Sequence, residues 1–171
     1  MVVTNPPFSL GRRFLQLLIE SGKDFIVLGS NLWIDCQQNL RYFYDGKLKL
    51  GFRQSQSVIF ATGLGERPIC CSWYTSFDID RQVPFLDLTE PYDPEVHKRF
   101  KKFPSIINID CYRQIPYDWE GVMGVPITFL KYWNPNQFKI ITDGNLFIDK
   151  SDHVLEDGRY TFQRLPIQRV N

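Results

Sequence analysis

The sequence has few of the residues that bind metals or form disulfides. Its two histidines, His97 and His153, are far apart, and its four cysteines contain no C-x-x-C pair. The cysteines are Cys36, Cys70, Cys71 and Cys111. A structural zinc site draws its ligands from closely spaced Cys and His pairs, which this sequence does not provide. We therefore expect neither a metal site nor a disulfide framework, and free thiols fit a reducing cytoplasm.

A strong net charge and long hydrophobic runs are also missing. Twenty Lys and Arg residues against 19 Asp and Glu residues leave a net charge of +1, so any contact with nucleic acid has to come from local patches. No apolar run approaches the roughly 18 residues of a membrane-spanning helix, and no signal peptide is recognisable. We therefore expect a cytoplasmic protein that does not associate with membranes.

The sequence does have the composition of an ordinary globular protein, with 43% hydrophobic and 15% aromatic residues. Its 171 residues predict a single domain with a substantial hydrophobic core. The first 46 residues differ in pattern from residues 47–171, which are richer in short β-like runs.

The first part alternates between strand-like and helix-like patterns. Val2-Val3 is typical of the end of a buried strand, residues 9–22 of an amphipathic helix, and residues 24–29 of a fully buried strand. A second helix is predicted over residues 30–44. Strand, helix and buried strand in succession predict a parallel βαβ unit, and hence an α/β fold.

The remainder is predicted to be mainly short strands and irregular chain. The strand predictions cover residues 47–52, 57–62, 69–75, 106–109, 138–142 and 158–170. Gly63-Leu64-Gly65 is predicted to be a hairpin turn, since it joins two β-like runs and opens no helix. Residues 81–104 are expected to be mostly irregular, with one possible helical turn around residues 95–103.

The most specific local feature is Asn5-Pro6-Pro7-Phe8, directly after the first strand. Proline fixes φ and lacks a backbone donor, so the pair can continue neither a strand nor a helix. The tetrapeptide is therefore predicted to be a rigid element at the carboxyl end of a strand, where ligands bind in open α/β sheets. The alternative interpretation is a purely structural turn.

These residue types suit the amino group of a nucleic-acid base. Such an amino group is a poor nucleophile because its lone pair is delocalised into the ring, so methyl transfer requires the nitrogen to be held and aimed. The Asn5 side-chain oxygen and the Pro6 carbonyl can accept hydrogen bonds from it. The Phe8 ring can stack on a base that has left the duplex. The alternative for Phe8 is core packing.

The motif and several further stretches resemble the EcoRI-type adenine-specific DNA methyltransferases. The stretches are VVTNPPFSL, FIVLGSN, CCSWYTSFD, IPYDWEGVMGVPITFLKYWNPNQFKI and YTFQRLPIQR. They follow one another in order over nearly the whole chain. NPPF alone is moderately specific for methyl transfer to amino groups, whereas the long GVMGVPITFL segment indicates this family.

The resemblance implies a site-specific adenine N6-methyltransferase of restriction–modification type, with double-stranded DNA as substrate. The methyl group would pass from S-adenosylmethionine to the amino nitrogen of a flipped adenine, by direct attack on the sulfonium methyl. The implied fold is a partial Rossmann-like methyltransferase sheet with a β-rich C-terminal region. Residues 1–46 would form the catalytic part, and residues 47–171 would complete the sheet and recognise the DNA target.

The resemblance also assigns roles to residues at the ends of the first two strands. Asn5, Pro6 and Pro7 would hold the adenine amino group, and Phe8 would stack on its ring. Three residues at the end of the second strand would line the base or cofactor pocket: Gly29, Ser30 and Asn31.

Basic residues in the middle of the chain are candidate contacts to DNA phosphates. They are Arg53, Arg67, Arg81, Lys98, Arg99, Lys101 and Lys102. The alternative for each is an ordinary solvated charge.

The family's S-adenosylmethionine loop, a glycine motif after the first strand, lies upstream of NPPF, where this sequence has only Met1–Thr4. No later segment has the strand, glycine loop, helix and acidic residue of a cofactor fingerprint. We therefore expect a C-terminal portion of such an enzyme that is inactive alone, with a second polypeptide as one source of the other half. The alternatives are a non-enzymatic DNA-binding remnant and an RNA or protein-glutamine methyltransferase.

Overall fold

A computed structural model describes residues 1–34, 36–51, 56–62, 65–79, 82–141, 146 and 150–170. The chain forms two compact units, Met1–Arg81 and Gln82–Asn171. Each unit contains one mixed β-sheet. The predicted α/β class is confirmed in this general form, as a mixed α/β structure. The single domain and its division near residue 46 stay predictions.

The sheet of the first unit has five strands among the described residues. They are β1 (Val2–Thr4), β2 (Phe25–Ser30), β3 (Lys49–Leu50), β4 (Gln56–Thr62) and β5 (Gly65–Thr75). β1 and β2 run parallel, with Thr4 opposite Val27, which confirms the predicted βαβ unit. β5 runs antiparallel to β2, β3 and β4, so the sheet is mixed.

The helix predicted over residues 9–22 is present as two consecutive elements. A 3₁₀ helix, Phe8–Leu10, leads directly into α1, Gly11–Glu20. Leu15 and Leu18 are spaced to share one face of α1, and both are buried. α1 lies against both the second α-helix of this unit and β2, and the apolar stripe that the sequence pattern indicated is buried.

The second predicted helix, over residues 30–44, is wrong as a single helix. A 3₁₀ helix spans Asn31–Trp33, and α2 spans only Gln37–Tyr44. Cys36 separates them in an extended conformation, with φ of −145° and ψ of 148°. The Trp33 side chain is 2% exposed. Its burial against α1 and β2 is accompanied by a break in the helical hydrogen bonding between the two helices.

β4 and β5 form a hairpin, as predicted. Their pairing runs from Gln56 opposite Cys71 to Thr62 opposite Gly65. The two connecting residues, 63 and 64, lie outside the described residues. β5 begins four residues earlier than the predicted segment 69–75, because the sequence 65–68 pairs with the end of β4 despite containing glycine and proline.

The sheet of the second unit has four strands among the described residues, in the order β6-β7-β9-β8. They are β6 (Ile107–Asn108), β7 (Met123–Pro126), β8 (Phe138–Ile140) and β9 (Arg164–Arg169). β6 and β7 are parallel, whereas β9 pairs antiparallel with both of its neighbours. The predicted strand 158–170 is therefore confirmed only in its second half.

The rest of the second unit is largely irregular. Residues 82–98 contain turns but no helix or strand, as the sequence predicted, and the expected helical turn around residues 95–103 is limited to a turn ending at residue 96. A 3₁₀ helix spans Ile127–Lys131. Within the described ranges, no helix combines the length and the apolar character needed to cross a membrane.

Candidate functional site

Asn5-Pro6-Pro7-Phe8 lies where β1 gives way to the first helix. Pro7 occupies the position before the 3₁₀ helix, with φ of −53° and ψ of 127°, and Phe8 is the first residue of that helix. The Pro7 carbonyl accepts the Leu10 N–H at 3.0 Å. The prolines thus end the strand and begin the helix without leaving a helical donor to be satisfied.

The motif presents its polar end to solvent and its aromatic end to the protein. Asn5 and Pro7 are exposed, Pro6 is buried and Phe8 is half-buried. Among the described residues, no hydrogen-bond partner is present for the Asn5 side-chain amide. Its oxygen is thus available as an acceptor for a ligand donor.

In the part of the chain that the structure describes, two aromatic side chains contact the Phe8 ring. Trp33 meets it edge to face, with ring centroids 5.6 Å apart and an interplanar angle of 89°. Phe60, on β4, meets it at 4.9 Å and 72°. The hairpin therefore reaches the candidate motif through Phe60, a contact that the β-like pattern of residues 57–62 could not indicate.

The segment that follows β2 leaves the sheet at the same edge as the motif, because β1 and β2 are parallel. Its side chains are engaged within the protein. Ser30 Oγ accepts the Leu32 N–H at 3.2 Å, and Asn31 Oδ1 accepts a hydrogen bond from Ser72 Oγ at 2.7 Å. The structure brings Ser30 and Asn31 to the edge that carries Asn5, and their pocket role stays a prediction.

Trp33 fills the space above two glycines. A β-carbon on Gly11 would lie 1.8 Å from the indole, and one on Gly29 would lie 1.9 Å from it. The indole also stacks on Tyr74, with ring centroids 5.9 Å apart and an interplanar angle of 19°. The indole thus occupies the space that a side chain at position 29 would fill.

Two side chains link the first helix to the segment after β2. Trp33 Nε1 donates to the Phe8 carbonyl at 3.1 Å. Arg12 donates from Nε and Nη2 to the Leu32 carbonyl, at 3.0 and 2.9 Å. The segment after β2 therefore donates a hydrogen bond to the segment after β1, and the segment after β1 donates two in return.

Tyr74 supports this arrangement from β5. Its hydroxyl donates to the Ser30 carbonyl at 2.8 Å. Burial raises the pKa of Tyr74 well above that of free tyrosine. The phenol therefore remains protonated, and a donor, at any physiological pH.

Three of the candidate DNA contacts are engaged within the second unit. The Arg99 guanidinium donates to the Pro104 carbonyl at 2.7 Å and to the Tyr92 hydroxyl at 3.3 Å. Lys102 pairs with the buried Asp152 at 2.6 Å. Lys98 pairs with Glu95 at 2.9 Å.

Of the other four candidate DNA contacts, two are described by the structure and two are not. Arg67 is exposed on β5 in the first unit, and Lys101 is exposed in the second unit. Arg53 and Arg81 lie outside the described residues. The assignment of all seven basic residues to DNA binding stays a prediction.

Sequence reasoning placed the motif but missed the residues that hold it. The predicted helix over residues 30–44 and the predicted strand over residues 57–62 gave no partner for Trp33 or Phe60. Gly29 is the available signal for Trp33, because a glycine inside a strand can mark a site where another group approaches the backbone closely.

The chain matches a family model described as "Adenine-specific methyltransferase EcoRI" over residues 1–63 and 65–163. It is 32% identical over 162 residues to the Type II methyltransferase M.MgeORF184P of Mycoplasma genitalium. It is 34% identical over 162 residues to the Type II methyltransferase M.MpnI of Mycoplasma pneumoniae. It is 32% identical over 161 residues to the Type II methyltransferase M.EcoRI of Escherichia coli.

Each of these three matches covers 82% of this chain and 51%, 50% and 49% of the respective relative. The chain thus spans about half the length of the curated relatives that it matches. No solved structure matches the chain.

Proposed function

The chain belongs to the family of the adenine-specific methyltransferase EcoRI, and from this premise we propose that it carries the catalytic loop and part of the target recognition of a DNA adenine N6-methyltransferase. The enzyme is of restriction–modification type. Its substrate is double-stranded DNA, and its methyl donor is S-adenosylmethionine. The parallel βαβ unit is its part of a Rossmann-like sheet.

The observation that carries this proposal is the position of Asn5 at the carboxyl end of β1, exposed and followed by the rigid proline pair. Adenine in a duplex is inaccessible, so the base leaves the stack and enters the site. The Asn5 oxygen and the Pro6 carbonyl then accept hydrogen bonds from the amino group, and the Phe8 ring stacks on the base. Holding the nitrogen in this way aims its lone pair at the methyl donor.

The described residues of the first unit do not make a cofactor site by themselves. Adenosine-containing cofactors in doubly wound sheets lie against an open glycine-rich turn after a strand. The turn after β1 is Asn-Pro-Pro, and the Gly29 backbone at the end of β2 is covered by the Trp33 indole. We therefore place the cofactor on the half of the relatives that this chain does not span.

DNA affinity in this proposal comes from exposed cations on both units. Arg67 and Lys101 are exposed, whereas Arg99 and Lys102 already bind groups within the protein. With a net charge of +1, the chain has little general attraction for phosphates, so non-specific binding should be weak and strongly salt-dependent.

The test measures transfer of a labelled methyl group from S-adenosylmethionine to duplex DNA. The chain is assayed alone and mixed with the complementary half of one of the three relatives, and the product nucleoside is identified. We expect no transfer by the chain alone and formation of N6-methyladenine in the mixture. A different methylated product, or transfer to RNA or protein instead, would contradict the proposed substrate.

The non-enzymatic alternative is favoured by the Trp33 indole, which covers Gly29 at the end of β2 and leaves no open glycine at that strand end. It predicts DNA binding by the chain without transfer in any mixture. Titration of S-adenosylmethionine into the mixture, followed by calorimetry, separates the two cases, because only the enzyme binds the cofactor.

A further inference from the structure

Trp33 has a single position available in the first unit. Its indole lies over Gly11 on one side and Gly29 on another, so closely that a β-carbon at either site would overlap the ring. Tyr74 stacks against the same indole. A ring bounded by a helix, a strand and a second ring cannot rotate without moving one of them.

From this position the indole reaches the backbone of the candidate motif. Trp33 Nε1 donates to the Phe8 carbonyl at 3.1 Å, which also accepts the Gly11 N–H. Pairing of β1 with β2 fixes the other end of the motif, at Thr4. The peptide between Thr4 and Phe8 is therefore held at both ends.

Because of the proline pair, the position of Asn5 depends on how these two ends of the peptide are held. Pro6 and Pro7 have fixed φ angles, so Asn5-Pro6-Pro7 moves almost as a rigid body. Among the described residues, no side chain or backbone group bonds the Asn5 amide directly. The backbone therefore sets the position from which the Asn5 side chain extends, and the hydrogen bonds to the Phe8 carbonyl help to fix that backbone.

We infer that Trp33 is the positioning residue of the Asn5–Phe8 loop. It acts through the hydrogen bond to the Phe8 carbonyl, and it sets the aim of the Asn5 amide at the amino group of the substrate. This inference rests on the function proposed above. Trp33 does not touch the substrate, so its loss changes the rate of the chemical step and leaves DNA affinity unaffected.

The test compares two tryptophans that make the same kind of bond. Trp33→Phe removes the donor to the Phe8 carbonyl, and Trp133→Phe in the second unit removes the donor to the Phe138 carbonyl, at 2.8 Å. A second variant replaces Trp33 with the benzothiophene isostere of tryptophan, which keeps the shape of the ring and has no N–H. This variant separates the hydrogen bond from the packing if Trp33→Phe folds poorly.

In the active mixture, we expect both Trp33 variants to lower kcat roughly 10- to 100-fold while KM for DNA stays within about twofold. Trp133→Phe should leave kcat unchanged. A Trp33 isostere with wild-type kcat would overturn the inference, as would a loss confined to KM.

Amide hydrogen exchange of the chain alone gives a readout that does not depend on activity. Both Trp33 variants should speed exchange at Leu10 and Gly11, and Trp133→Phe should not. If the wild-type mixture transfers no methyl group, the proposed function fails, and the exchange result decides the positioning role. Unchanged exchange at Leu10 and Gly11 would overturn that role.

Discussion

A substitution of Asn5 should affect methyl transfer without affecting DNA binding. In an active mixture, we expect Asn5→Ala to abolish methyl transfer and to leave DNA affinity nearly intact. The amide contacts only the flipped base, whereas affinity comes mainly from phosphates. Transfer assays and fluorescence-anisotropy titrations measure the two properties.

The control for this prediction is Asn136→Ala, which removes an exposed amide side chain from the second unit. It should change neither property. An Asn5→Ala variant with the wild-type rate would contradict the assignment of Asn5 to the amino group.

Adjacent lysines in the second unit should behave differently. Lys101 is exposed, whereas Lys102 lies 2.6 Å from the buried carboxylate of Asp152. Lys101→Ala should weaken DNA binding and lower the slope of log affinity against log salt by about one. Lys102→Ala should instead lower the free energy of unfolding by about 1 kcal/mol, since the lysine is half-exposed and screened.

Salt titrations of DNA binding and urea unfolding of both variants measure these effects. If Lys102→Ala changed the salt slope as much as Lys101→Ala without loss of stability, the assignment of Lys102 to an internal pair would be wrong.

For single residues, the sequence predicted the features of the backbone that depend on one or two neighbouring residues. The proline pair determines its own backbone, so its place between a strand and a helix could be anticipated from residues 5–8 alone. The contacts of Phe8 could not, because Trp33 and Phe60 reach it only through the pairing of separate strands and the closeness of Gly11 and Gly29 to one ring. Residue type gives the charge of Arg99 and Lys102 but not the internal partners that they bind.

Among the elements, β5 carries a buried phenol, that of Tyr74, which should make the stability of the fold depend on pH at alkaline pH. Burial raises its pKa in the folded state, while in the unfolded chain the phenol titrates near its ordinary value of about 10. Above that pH, the unfolded chain loses the proton and the folded chain keeps it, so the unfolded state is favoured. Stability is thus fully present below about pH 10 and falls by up to about 1.4 kcal/mol per pH unit above it.

We expect Tyr74→Phe to reduce this alkaline loss. The variant should also lose about 1 kcal/mol at pH 8, because its hydrogen bond to the Ser30 carbonyl is removed. Urea unfolding between pH 8 and pH 11 measures both effects. Tyr160→Phe, at a position that is 71% exposed, is the control and should keep the wild-type slope, and an equal slope in Tyr74→Phe would contradict the prediction.

The elements themselves were predictable where one periodicity continued without interruption. α1 and β2 follow their sequence patterns closely. The predicted helix over residues 30–44 failed because Trp33 is buried against Gly11 and Gly29, and the chain there forms a 3₁₀ turn followed by an extended Cys36. Competition between local pairing and tertiary packing cannot be read from spacing alone.

For the whole molecule, the chain's membership of the family is shown, but the chain spans only about half the length of each relative. Membership supports the chemistry of the Asn5–Phe8 motif, and coverage of about 50% leaves the activity of the complete enzyme as a proposal. The structure divides the chain into two compact units, and the single domain that length indicates stays a prediction. Sheet membership depends on long-range pairing, and short β-like runs do not indicate which sheet they join.

The last prediction concerns the outer edge of β1. Among the described residues, β1 pairs only with β2, and Val3 in its centre is 62% exposed. Leu10 and Leu17, on the first helices, are also exposed, at 62% and 49%. Unpaired backbone groups beside apolar side chains form a surface that other chains can extend.

We therefore expect the isolated chain to self-associate through this edge, or to bind a second polypeptide there. Val3→Lys places a charge on the strand and should shift the chain toward the monomer, because charged side chains protect strand edges. Phe162→Lys in the second unit, at a position that is 89% exposed, is the matched control and should leave association unchanged. Light scattering at increasing concentration measures the mass, and hydrogen exchange shows whether β1 is ordered. A wild-type chain that stays monomeric at every concentration, with protected amides in β1, would contradict self-association through this edge.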